Sequence, residues 1–380
     1  MRSTIHDQLI KLTKHQINEF FLCNAQKQKD NQPYLPEEVC KLVLNPTERA
    51  YTLLVYVAYG FLQQAEALLD ADPTLLLSQY KNFVITPAGF RLVDITPFEC
   101  ALGGNDPEMA TMMVPYFLQL ADGKKELEAQ YKKYAPHIES IFHQTPYDLE
   151  RLVNIINNSR DVDVIASLQL RKADESLLQA TLAQFRKDHC PLRFIKEPCM
   201  HFNYQTLIAA YQIYEREYVN GPFRDVAGKL FYTQIISYLL RNLPARDRQV
   251  FAAGLYQVAE EEINAPRTFQ GRNGNAFPVT NTLYYSHRDL GFTSGLHPDG
   301  TFNAINHLNP LCITNKGYPA LIKLLLKNKS QFKKLAERIK QAEVPIELME
   351  EENVQPTNAP LLPIESVNPP KAKSGCCIIL

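Results

Sequence analysis

The residues best placed to do chemistry by type and position are the paired thiols of Lys373-Ser374-Gly375-Cys376-Cys377-Ile378-Ile379-Leu380. Cys377, two aliphatic residues and a terminal Leu form the pattern on which a prenyltransferase alkylates the Cys sulfur. A terminal Leu favours the geranylgeranyl chain. The exposed aliphatic residues then serve as a recognition tag and not as a finished surface. One lipid binds a membrane only reversibly, so a second signal is expected. Cys376 is placed for palmitoylation, and Lys371 and Lys373 each add about 1 kcal/mol near an anionic leaflet. The expected modified sites are therefore Cys377 (geranylgeranyl) and Cys376 (palmitoyl), and the expected partners are geranylgeranyltransferase I and a membrane surface reached through the lipid.

Three further constellations carry possible chemistry. His189, Cys190, Cys199 and His201 in "HCPLRFIKEPCMH" are four residues of zinc-ligand type. Their spacing does not match a finger, and buried thiols are common, so no metal is expected. His287, His297 and His307 with Asp289 and Asp299 offer an acid/base set, while "HPDG" within the same stretch also reads as a turn. Both readings stay open. "HRDLGFTSG" is similar to a kinase catalytic loop, but Ser294 stands where an Asn must hold metal. No Gly-rich loop, strand lysine or Asp-Phe-Gly accompanies it, which excludes a kinase. No cofactor is expected.

The 380 residues are enough for two or three modest domains, with 40 Lys and Arg against 41 Asp and Glu. That balance gives no field for nucleic acid. The eight cysteines are scattered without CxxC spacing and follow no secretory signal, so reduced thiols are expected. The longest apolar run, Leu53 to Leu62, is too short to span a bilayer. From 343 to 380 the chain is Pro-rich and without aromatic residues, a disordered linker that reaches on the order of 50 Å.

The elements that must position these groups read as mainly α. Between Tyr51 and Phe117 the chain shows two helical pairs. In the second, Thr96 is an N-cap, Pro97 takes the first helical position and Glu99 closes a capping box. Gly103-Gly104 break that helix, and Met109, Met112, Met113 and Phe117 mark the next. "SQYKNFVITPAGFRLVDI" between the pairs reads as an extended hairpin finger, on whose edge Phe83, Phe90 and Arg91 are the expected partner-binding residues. A third unit is expected at Thr145, "TPYDLERLVNIINNS". Residues 161–342 read as a second helical, loop-rich domain that ends in the basic amphipathic helix from Pro319 to Gln341. A pocket gathering polar groups from Arg272 to His307 would make this part an enzyme.

"TPFECALGGNDPEMATMMV" resembles an ankyrin repeat, with Phe98 in the Leu place, Glu99 in the His place and Ala101 in the first Ala place. Leu53, Gly60, Leu68 and Leu69 fall on the same pattern in the first unit. The two units lie about 44 residues apart against 33 in that family. Leu35 to Leu44, "LPEEVCKLVL", resembles the opening of an F-box, in a helical segment spanning 1–45. The ankyrin-like units of 46–160, the "CMHFNYQTLIAAYQIYEREY" segment and the terminal prenylation box together resemble Legionella-type ankyrin-repeat effectors of type IV (Dot/Icm) secretion. The resemblance implies delivery into a host cell, lipidation there, residence on the cytoplasmic face of a host membrane and recruitment of a host protein. An enzyme within 190–340 and an F-box-like ubiquitin-ligase adaptor are the alternatives.

Overall fold

Helix α1 (Pro46–Ala58) carries the apolar run, and each residue from Thr52 to Tyr59 is buried. A helix apolar all round must be covered on every side. Helix α2 (Leu62–Ala71), strand β1 (Phe83–Ile85) and helix α3 (Pro97–Gly103) do part of this. Gly60 turns the chain between α1 and α2 at φ +69°, a conformation that an L side chain adopts only with strain. The computed structural model describes residues 46–80, 82–168, 176–189, 194–221, 225–240, 242–253, 255–260, 265, 267 and 317–342. All of these belong to one compact unit, Met1–Glu343, and Val344–Leu380 form a second unit outside the described residues.

The protein is mainly helical. Strand β1 and strand β2 (Arg91–Val93) form the expected hairpin, antiparallel with Val84 opposite Leu92. Strand β3 (Phe194–Ile195) joins the far side of β2 in parallel, with Leu92 opposite Ile195. The finger is thus closed on one edge by a segment about a hundred residues later. Helix α3 begins as the sequence indicates. The Thr96 hydroxyl accepts from Glu99 N at 3.2 Å, and Glu99 Oε2 accepts from Thr96 N at 3.2 Å. Thr96 also donates to Gln130 at 2.6 Å, and Lys133 pairs with Glu99 at 2.9 Å. The capping box is therefore bolted to helix α5 (Gly123–Glu139), whose Leu127, Gln130, Tyr134 and Ile138 face inward at helical spacing.

Helix α4 (Pro107–Phe117) completes the second pair. Its inner side carries Met109, Met113 and Phe117, with Met112 partly buried. The two pairs stack in order, α1 against α3 and α2 against α4. The expected third unit takes another form. Helix α6 (Glu150–Asn158) starts at Glu150, and Thr145 does not cap it. The Thr145 carbonyl accepts instead from Asn203 at 2.8 Å, and Tyr147 N donates to Thr206 at 2.9 Å. The stretch before α6 is held extended by the start of helix α9, because its backbone groups are already in use there.

Helices α7 (Asp161–Leu168), α8 (Leu177–Asp188) and α9 (Tyr204–Tyr214) follow, the last running into a π-helical turn at Glu215–Val219. Helix α10 (Asp225–Phe231) passes through a second such turn into α11 (Ser237–Leu240), and α12 (Ala245–Ala253) and α13 (Leu255–Glu260) succeed it. The basic amphipathic segment forms α14 (Gly317–Gln341), which packs on α4, α5, α9 and α13. None of the described helices is long and apolar enough to cross a membrane.

Thr96→Ala removes the cap and leaves the buried Gln130 carbonyl without its donor. It should lower stability by about 2 kcal/mol, and Leu68→Ala in the packed core by about 2–5 kcal/mol. Chemical denaturation of each variant checks both, and an unchanged midpoint would show that these helix ends and faces carry no load.

Candidate functional site

Asn105 and Asp106 make the turn between α3 and α4, with Asn105 at φ +55°. Asp106 caps α4 by accepting from Met109 N at 3.0 Å. Its two carboxylate oxygens also receive both arms of the Arg267 guanidinium, at 2.6 and 2.8 Å. Arg267 reaches Glu108 at 2.8 Å and the Gly60 carbonyl at 3.3 Å, and Arg246 lies 3.5 Å from Glu108. Burial alone would raise the Asp106 pKa, but the charge and hydrogen bonds of Arg267 hold it below the ordinary carboxylate value. Burial disfavours charge on Arg267 as well, and Asp106 and Glu108 more than offset it, so its pKa rises.

Asp247 lies in the first turn of α12 and is only 1% exposed. Tyr204, at the start of α9 and fully buried, donates its hydroxyl to Asp247 Oδ2. Oδ1 has no hydrogen-bond partner among the described residues; the Asn105 amide lies beside it without meeting hydrogen-bond geometry. Burial, with Asp106 adding to it, pushes the Asp247 carboxyl up to about 7, although the Tyr204 bond and Arg246 pull the other way. Burial, reinforced by Arg267, lowers the pKa of Arg246.

These groups surround a cavity of about 380 Å³. Its polar lining includes Asp106, Glu108, Arg246, Asp247, Lys327 and Asn328, and its apolar wall is Val250, Val258 and Leu324. Asn328 is anchored by donating to the Asn105 carbonyl at 3.5 Å. A wider groove of about 760 Å³ runs between α2, α4 and α14, with Glu66 and Asp70 on one wall and Lys334 and Arg338 on the other. Chemically, the first site combines a carboxyl that titrates near neutrality with fixed cations and a small apolar surface.

The residues singled out in the sequence fall elsewhere. The Arg91 guanidinium lies against both rings of an aromatic pair, 5.0 Å from the centroid of Phe83 and 5.0 Å from that of Phe194. Phe83 and Phe194 meet edge to face at 6.0 Å. Phe83, Phe90 and Arg91 are all half-buried, and Phe90 turns away to line a small inner cavity with Cys100 and His201. The exposed apolar side chains of the sheet are instead Ile85 (45%) and Phe194 (49%).

His189 packs on Phe185 and Tyr147, and His201 lies against Gly103, where an added Cβ would stand 2.3 Å from Nε2. Burial holds the His201 imidazole down to about 4. No group of three or more His, Cys, Asp or Glu able to hold a metal occurs among the described residues. Cys190, Leu35–Leu44, Arg272, His287, Asp289, Ser294, His297, Asp299, His307, Cys376 and Cys377 lie outside the described residues. The Asp106–Asp247 cluster was not anticipated, although "GGNDPE" and "PARDRQ" each place acids at a helix start inside apolar surroundings.

Comparison of the chain with protein-family models, with curated proteins and with solved structures gives no match.

Two outcomes test this site. Arg267→Ala strands the buried Asp106 charge and should cost about 3–5 kcal/mol, read as a fall in the denaturation midpoint. For Asp247, the folded state keeps its proton to about pH 7 while the unfolded chain releases it near pH 4. Between these limits the folded state holds the extra proton, so this group's contribution to stability falls as pH rises. Asp247→Asn removes that slope and should gain on wild type by up to about 1.4 kcal/mol per pH unit from pH 4 to 7, then level off. A constant difference between the two proteins across pH 4–8 would show that Asp247 is ionised throughout.

Proposed function

We propose that this chain is a membrane-tethered protein-interaction module of the effector kind, in which ankyrin-like helical pairs present the β1–β2 finger to a host partner. The observation that carries this reading is the stacking order. First helix packs on first helix and second on second, with the hairpin leaving between the pairs and a capped "TPFECA" opening the second. Repeats of this type cannot bury their faces alone and need neighbours or caps. Here α5 covers α3 and α4, and α14 covers α4 and α5, in the place of further repeats.

The finger has the make-up of a binding edge. Arg91 is preordered against the rings of Phe83 and Phe194, so little side-chain entropy is lost when it meets a partner. Ile85 and Phe194 supply exposed apolar area around that fixed charge. In this reading Cys377 carries a geranylgeranyl chain and Cys376 a palmitoyl chain, which together give a stable anchor where one would not. Both modifications require the machinery of a eukaryotic host.

The test is fractionation and proximity labelling in eukaryotic cells. Cys377→Ser should move the protein to the soluble fraction, and Cys376→Ser should give partial release. Leu380→Ser should keep attachment while changing the added mass from geranylgeranyl to farnesyl. Ile85→Asp should reduce labelling of the principal membrane-side partner about tenfold, a loss of about 1.4 kcal/mol, with no change in melting temperature. A Cys377→Ser protein that stays on membranes would refute the anchor, and undiminished labelling by Ile85→Asp would refute the finger.

A further inference from the structure

We propose that the outer face of the β1–β2–β3 sheet takes an acidic, apolar helix of the partner, with a carboxylate on Arg91 and an apolar side chain on each side of it. That chemistry rests on the finger reading above and makes β3 part of the same site.

Register composes the face. Val84, Leu92 and Ile195 are buried, so the alternation of a strand turns their neighbours outward. Ile85 stands opposite Arg91, and Arg91 opposite Phe194, which sets the three in one row across three strands. The row has an exposed apolar side chain at each end and a cation at its centre. Phe83, opposite Val93, adds a second ring beside Arg91, and Lys196 follows β3 as an exposed side chain.

Arg91 makes no hydrogen bond or ion pair among the described residues. The rings of Phe83 and Phe194 attract its charge without neutralising it. A guanidinium held in this way keeps a planar fork of donors that suits a carboxylate. The charges written around it have the same preference. Residues 81–94 and 190–197 carry Lys81, Arg91, Arg193 and Lys196 against Asp94 and Glu197. Of these, Lys81 and Arg193 lie outside the described residues, and no acid does.

Spacing selects a helix. Neighbours in the row lie on strands about 4.8 Å apart. Side chains three or four residues apart on a helix are separated by about 5–6 Å. A helix laid across the strands therefore meets Ile85, Arg91 and Phe194 in turn. An extended chain repeats on one side at about 6.8 Å and leaves the row after one contact.

The test starts from the full chain in the labelling assay above. Arg91→Glu should reduce labelling of the protein lost from Ile85→Asp by about tenfold, with no change in melting temperature. Overlapping peptides of that protein, each of about five helical turns, are then titrated into the full chain. Binding should be confined to peptides with a Glu or Asp flanked on both sides by apolar residues three or four positions away. Exchanging that acid for Gln should weaken binding to wild type about tenfold and to Arg91→Gln less than about twofold. Exchanging it for Lys should restore binding to Arg91→Glu. The peptide series on unaltered protein reads the charge even where an Arg91 variant fails to fold. Labelling lost from Ile85→Asp but kept by Arg91→Glu, or an acid that Gln replaces without loss, overturns the acidic helix and leaves the finger standing. Labelling kept by both variants overturns the finger as well. Mixed phosphatidylcholine–phosphatidylserine vesicles are the competing probe. Saturable binding of the unlipidated full chain to them, lost in Phe194→Ala, would give the face to lipid and overturn the helix.

Discussion

A carboxylate that must stay ionised where water is excluded constrains much of this molecule. Asp106 is needed as the cap of α4, and taking its charge out of water is costly unless a cation follows it in. Arg267 supplies that charge from a point 161 residues later, and the same guanidinium reaches the Gly60 carbonyl at the turn between α1 and α2. Gln249 reinforces that turn through the Tyr59 and Gly60 carbonyls. Asn105, one residue earlier, offers its carbonyl to Asn328 on α14. The stacked pairs and the later helices are thus joined by polar bonds at the α1–α2 and α3–α4 turns as well as by continuous apolar packing. Apolar packing alone tolerates sliding, whereas bidentate pairing fixes register.

What could be read from the amino-acid order was whatever is written locally. The capping box at Thr96 and Glu99, the two helical pairs, the finger and the amphipathic character of α14 each rest on spacings of a few residues. Helix α5 was missed because its buried set is only Leu127, Gln130, Tyr134 and Ile138, with polar residues between them. The Thr145 unit looked helical because Thr-Pro is an opening signal, yet the distant Asn203 and Thr206 claimed its backbone. The polar cluster was invisible for the same reason. Asp106, Tyr204, Asp247 and Arg267 are each ordinary in their own windows and acquire meaning only when three helix starts and the segment of Arg267 meet. His189 and His201 show the converse. They sit close in sequence, but one stacks on aromatic rings and the other presses on Gly103, so proximity along the chain did not make a ligand set.

Two kinds of polar surface coexist as a result. On the finger, the Arg91 charge is held against two aromatic rings near the solvent edge. In the interior, charge is paired and screened from water, with one carboxyl oxygen left over.

The placement of α14 has a consequence for the order in which the chain can mature. Tyr131 on α5 donates to the Phe332 carbonyl on α14, a partner 201 residues downstream. At ribosomal rates of roughly 5–20 residues per second, the interval between making the two is roughly 10–40 seconds. Throughout that time the sides of α4 and α5 that α14 will cover stay open, and the closure must bring together residues 201 positions apart. The flank formed by α4 and α5 can therefore be covered only after α14 has been made.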